Sequence, residues 1–199
     1  MGYALSLFIS FYLFSGSTTS IHSGQVVDWA KYYKEMKRQC MSTCYQITIS
    51  SKAISYVGRK SKEVCPWVPS NVACAAFTRT VIKRSTGLLF DRGSALVHWY
   101  QFMRRSRRGG AKFISKTNNL IPGDVVFYAE NGYLMHTGIY VGRYCGPVGN
   151  NTGKRVAYKD AVIQNSSSEK RILSFSMREF METQGQTFLG AVRLAHVNQ

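Results

Sequence analysis

Two side chains in this 199-residue chain are of types that could together open an amide bond: the thiol of Cys74 and the imidazole of His136, 62 positions later. Cys74 falls in the first turn of a helix predicted over residues 70–84, where Ser70 or Asn71 can cap the start and Ala75 and Ala76 favour propagation. Unpaired main-chain N–H groups and the positive end of the helix dipole stabilise a thiolate at such a place, which is where a cysteine nucleophile belongs. The same position also suits a buried, inert cysteine packed beside Phe77. His136 opens a predicted strand over residues 136–141 and has two readings, a structural histidine at a strand edge or a general base. The chemistry would need a third, polar group on a neighbouring strand to orient the ring, and a main-chain donor for the oxyanion. His98, among Val97, Trp99 and Tyr100, is a second candidate base but reads better as a packed residue.

The elements that must position these groups centre on Leu120–Gly142. Pro122-Gly123 sets a turn, and Val125–Tyr128 is too short, β-branched and aromatic for a helix. Asn131-Gly132 signals a hairpin, but five or more residues separate the apolar runs, so a connection looser than a two-residue turn is expected. Upstream, Val26, Trp29, Tyr32, Tyr33, Met36 and Cys40 recur at helical spacing over residues 25–46. Residues 47–58 do not decide between helix and strand, and 59–71 read as an irregular, basic, proline-bounded loop. Gly87 ends the Cys74 helix, a short helix covers 93–103, and Arg104–Gly110 reads as a basic loop. Residues 143–154 read as loop, followed by strands over 156–164, 172–175 and 188–194 around a short helix at 177–183. The expected class is α+β, with N-terminal helices packed on an antiparallel meander sheet.

The apolar run Tyr3–Phe14 is too short to span a bilayer and precedes the small polar residues 15–20. Residues 1–20 therefore read as a secretory signal peptide and 21–199 as one domain, secreted to the cell exterior, or to the periplasm of a bacterium. A net charge of +16 implies an anionic partner. The cations are dispersed and no recognition module is present, so nucleic acid is not expected. Five cysteines follow the leader, an odd number that leaves one thiol free if disulfides form among Cys40, Cys44, Cys65 and Cys145, whose connectivity is open. Asn150-Asn151-Thr152 and Asn165-Ser166-Ser167 are glycosylation sequons. No zinc spacing or Gly-rich phosphate loop is present, and no metal or cofactor is implied.

Pro122-Gly123-Asp124-Val125-Val126-Phe127-Tyr128 followed by His136-Thr137-Gly138-Ile139-Tyr140-Val141-Gly142, with Cys74 upstream, resembles the NlpC/P60 family of papain-like cysteine peptidases, over about residues 45–195. The resemblance implies a papain-like fold and hydrolysis of amide bonds in bacterial peptidoglycan stem peptides, next to D-glutamate. It implies Cys74 as nucleophile, His136 as base, and Tyr56, in a segment Tyr56-Val57-Gly58 whose glycine comes one place early, near the oxyanion. The third position, usually histidine, falls on Gln164, with Asn165 as the alternative. An amide can orient imidazole by accepting its N–H. Where the family reads Asp-Cys-Ser-Gly, this chain reads Ala73-Cys74-Ala75-Ala76, which removes groups that bind a free amino end in some members. The expectation is a monomeric, secreted hydrolase drawn by charge to anionic wall polymers, serving defence against bacteria, competition or remodelling. The alternatives are a non-catalytic cationic wall- or membrane-binding protein, and a lipid acyltransferase, against which the order Cys before His argues.

Overall fold

The computed structural model describes residues 44–66, 69, 72–150 and 152–195. The leader, most of the helix expected over 25–46, and the capping candidates Ser70 and Asn71 lie outside these. Residues 44–54 are helical (α1), so the undecided stretch after residue 46 is helix before it turns at 55–58. The expected irregular loop contains a one-turn helix, α2 (Ser61–Val64). The chain continues through α3 (Ala73–Thr86), α4 (Ala95–Arg107), β1 (Ala111–Ile114), a 3-10 turn at Thr117–Asn119, β2 (Val125–Glu130), β3 (Tyr133–Pro147), β4 (Arg155–Ser166), β5 (Arg171–Ser176), α5 (Met177–Gln184) and β6 (Thr187–Leu194). This is an α+β fold.

The six strands form one antiparallel sheet in the order β1-β6-β2-β3-β4-β5. The expected meander is present from β2 to β5. β6, however, returns to lie between β2 and an edge strand, β1, that follows Gly109-Gly110 and was not anticipated. Alternation splits the apolar residues between the two faces. Val125, Phe127, Ile139, Ile163 and Val192 pack against Ile49 of α1, Phe77 and Val81 of α3 and Phe102 of α4. Val126, Tyr128, Val162 and Ala191 pack against Met177 and Phe180 of α5. Helices on both faces explain why Val125–Tyr128 reads as an unbroken apolar run.

Three expected loops are replaced by regular structure. Arg104, Arg105 and Arg107 form the last turn of α4, where cations favour the negative end of the helix dipole, and Arg105 Nε donates to the Gly110 carbonyl at 3.3 Å. β3 runs on to Pro147, placing Cys145 in a strand opposite Ala157. The β2–β3 connection is tight: Glu130 pairs with Tyr133, and Asn131 and Gly132 both take positive φ (50° and 80°), as a two-residue mirror-image turn requires. The apparent extra length is a bulge. His136 pairs with Tyr128 and Leu134 with Ala129, leaving Met135 as the additional residue.

The Pro122-Gly123-Asp124 turn is clamped from both sides. The Gly123 N–H donates to Tyr140 O (2.7 Å), and the Tyr140 N–H donates to Asp124 O (2.9 Å). The fully buried Asp124 carboxylate accepts from the Ile121 N–H and, bidentately, from Arg193 of β6, each at 2.9 Å. Gly123 has φ 97°, and a Cβ there would lie 2.4 Å from the Gln46 carbonyl oxygen of α1, so the turn also seats α1 on the sheet. Replacing Asp124 by Ala should cost about 3–5 kcal/mol, because it strands Arg193 and a backbone donor. Urea unfolding measures this; a loss below about 1 kcal/mol would show an exposed-type pair of little consequence.

Candidate active site

Cys74 is the second residue of α3, as its spacing indicates. Val72 is the N-cap and supplies no side-chain bond, so the first-turn N–H groups stay available. The helix ends at Gly87 in the left-handed conformation, whose N–H returns to Lys83 O at 2.9 Å. Cys74 is buried against β3 and receives backbone hydrogen bonds from Thr137, from Ala75 and from its own N–H. Burial pushes the thiol above its ordinary range, and these three donors pull the other way. The net direction is the reverse of that expected from the helix start alone: desolvation by the sheet outweighs the dipole.

His136 reaches the same cleft through the bulge. Leu134 packs towards the α3 side of the sheet and Tyr140 towards the α5 side, although they are six positions apart, an even offset that would put both on one face of an unbroken strand. The extra residue at 135 makes that switch and sets His136 on the α5 side, its ring 5.3 Å from Phe180 and 6.5 Å from Tyr128 between centroids. His136 Nε2 is 2.5 Å from Gln164 Oε1. An amide oxygen only accepts, so Nε2 carries the proton and Nδ1 is left with a free lone pair. Burial drives the imidazole pKa down to about 4, against the upward pull of the Gln164 bond.

Cys74, His136 and Gln164 line one cleft of about 520 Å³, with Leu173, Phe175 and Phe180 among its apolar walls. Burial thus favours a neutral thiol beside a neutral imidazole. Asn165, the alternative third residue, points elsewhere, accepting a 2.5 Å bond from Ser61 Oγ. At 2% exposure, Asn165 leaves no room for a bulky glycan. Tyr56 is not brought to the cleft. Its ring is buried edge-on to Phe77, and its hydroxyl accepts a 2.6 Å bond from Arg84, ten residues beyond Cys74 on α3. His98 is buried with Nε2 3.2 Å from Asp91 O and also lies away from the cleft. No disulfide joins the described cysteines. Cys44 and Cys145 are free and exposed, and Cys65 is buried with its sulfur against Thr80 Oγ1; Cys40 lies outside the described residues.

Two residues matter here that the sequence did not single out. Gly138 faces Gln164: a Cβ there would come within 2.6 Å of Val162 Cγ1 and 3.3 Å of Gln164 Cβ, so only glycine leaves room for the amide. Phe180, from α5, closes over the imidazole. The His-Thr-Gly order is a signal that could have marked Gly138; nothing local marks Phe180, which is 44 residues from His136.

A cysteine, a histidine of fixed tautomer and an amide in one cleft, on helices and an antiparallel sheet, form a cysteine–histidine constellation on an α+β scaffold. The model of the NlpC/P60 family matches residues 55–181, more than half the chain and the whole of this constellation, and the protein belongs to that family of peptidoglycan-directed cysteine peptidases and amidases. No curated protein sequence matches the chain significantly.

The low His136 pKa has a signed consequence. The unfolded chain takes up a proton near the ordinary value of 6.5, and the folded one only near 4. Between these pH values the unfolded state binds more protons, so this group's contribution to stability is full above about 6.5 and falls as pH drops towards 4. Thermal unfolding of wild type and His136→Gln across this window should show the slope in the wild type and a shallower one in the variant; parallel curves would contradict the assignment.

Proposed function

We propose that the protein is a secreted cysteine hydrolase of bacterial peptidoglycan that cuts a stem-peptide amide next to D-glutamate. The observation that supports the reading is the Nε2–H bond from His136 to Gln164 in the cleft that Cys74 lines, because it leaves the Nδ1 lone pair free to act as base. Cys74 Sγ attacks the carbonyl as Nδ1 takes its proton. The same nitrogen then delivers that proton to the leaving amine, and water releases the acyl group. Gln164 keeps the ring in one tautomer, and the backbone N–H of Cys74, at the free end of α3, donates to the oxyanion. Tyr56 has no part in this reading, because it does not line the cleft.

Residues 1–20 act as the leader that carries the enzyme out of the cell. The +16 charge then concentrates the monomer on an anionic wall, in defence against bacteria, competition or remodelling. A fully neutral pair at rest suits general-base attack, and it places the acid limb of kcat/KM near pH 4, where the imidazole protonates.

Mass spectrometry of fragments released from purified sacculi tests this reading. Wild type should release new muropeptides, whose masses identify the bond, and Cys74→Ala none; equal release by both would remove the enzyme reading. Gln164→Ala should lower kcat/KM by roughly ten- to a hundred-fold by loosening the ring. Gln164→His should keep most of the activity, and the opposite ranking would mean that Gln164 does not orient the base.

A further inference from the structure

A second cavity, of about 490 Å³, opens beside the cleft, and Ala73, Asn165, Ser167 and Glu169 line both. Its cations are Lys60, Lys62, Lys170 and Arg171, with Glu169 the only carboxylate among its lining residues. The walls are held by main-chain bonds: the Ser61 N–H donates to Lys170 O (2.8 Å), the Gly58 N–H to Ile172 O (2.8 Å), and the Ile172 N–H to Arg59 O (3.0 Å). Arg171 Nη1 donates to Gly58 O at 2.6 Å, which commits part of that guanidinium to structure and leaves the three lysines, all exposed, as the charges facing solvent. Lys170 sits at φ 52°, an unusual conformation for a side-chain-bearing residue, fixed by these bonds.

At the junction, Asn165 is 2% exposed. Its Oδ1 is taken by Ser61, and its Nδ2 has no partner within the described residues. A buried amide donor left unpaired is costly, and an acceptor brought by a ligand would satisfy it. The residue before the nucleophile is Ala73, so no carboxylate from that position opposes the lysines.

The geometry points to a subsite for a carboxylate of the bound stem peptide, on the α2 side of Cys74, held by Lys60, Lys62 and Lys170 and by the Asn165 amide. It rests on the peptidoglycan reading above. The consequence is a preference among wall chemistries: stem peptides whose carboxylates are free are bound, and those in which the same group is a carboxamide are discriminated against. The lysines act as point charges on flexible stems, so the subsite selects charge more than shape.

The test separates binding from turnover. Full-length protein carrying Cys74→Ala is titrated calorimetrically with the tetrapeptide L-Ala–γ-D-Glu–L-Lys–D-Ala and with two versions in which either the D-Glu α-carboxylate or the C-terminal carboxylate is a carboxamide. One of the two amidations should weaken binding about ten-fold, the loss of one charge-assisted bond. The triple variant Lys60→Gln/Lys62→Gln/Lys170→Asn, which keeps Arg171 and puts at 170 a residue that tolerates positive φ, should bind all three peptides with the weaker affinity. The single variant Lys62→Glu, at an exposed position, gives the same readout with less change to the fold.

Equal affinity for the three peptides, or a ten-fold preference that survives in both variants, overturns the subsite. A glycerol phosphate oligomer that binds as tightly as the acidic peptide, and loses affinity in the same variants, also overturns it by moving the charge recognition to wall phosphate. Charge-dependent binding without muropeptide release by wild type leaves the subsite standing and removes the hydrolase reading. Release without charge dependence does the reverse.

Discussion

The hydrogen bond between His136 and Gln164 exists only because three backbone features coincide. The bulge at Met135 turns the histidine to the α5 side of the sheet, the β3–β4 register brings residue 164 alongside, and Gly138 leaves the space that a side chain would fill. Remove any one, and the ring loses the acceptor that fixes its tautomer. The site is therefore a property of the centre of the sheet, built on strands that pair on both sides, where positions are held more tightly than in loops.

Placement in the sheet also sets the electrostatics. Helices on both faces remove water from β2 and β3, and the same burial that makes the core raises the Cys74 thiol and depresses the imidazole. Main-chain donors at the start of α3 and at Thr137 offset only part of this. Burial therefore favours a neutral pair at rest. Asp124 and Arg193 serve this arrangement at a distance, since their buried pairing locks the turn that begins β2 and so sets the hairpin on which His136 is carried.

Much of this was legible in the sequence, for identifiable reasons. Cys74 was found from its helix start, and the β2 and β3 segments from their apolar, β-branched runs. The third group was narrowed to Gln164 or Asn165, and the two point to different partners, His136 and Ser61, which no pattern in the sequence distinguishes. Tyr56 was read from a motif, and the fold sets it off the cleft, its hydroxyl accepting from Arg84, a placement that depends on how α1 and α3 pack. The basic run at 104–108 read as loop because charge density hides a helix end, and β3 was cut short because Gly142 and Gly146 resemble loop punctuation. Phe180 and the lysine cavity come from segments far apart in the chain and only meet in the fold.

The central claim is that His136 stands neutral, protonated on Nε2 and held by Gln164, with Nδ1 as the base. Nitrogen-15 NMR of histidine-labelled protein, with His136 assigned from a His136→Gln variant, reads this state directly. The account predicts a single Nε2–H tautomer between about pH 5 and pH 8, which becomes mixed in Gln164→Ala. An Nδ1–H tautomer, or an imidazolium persisting at neutral pH beside an ionised Cys74, would contradict it.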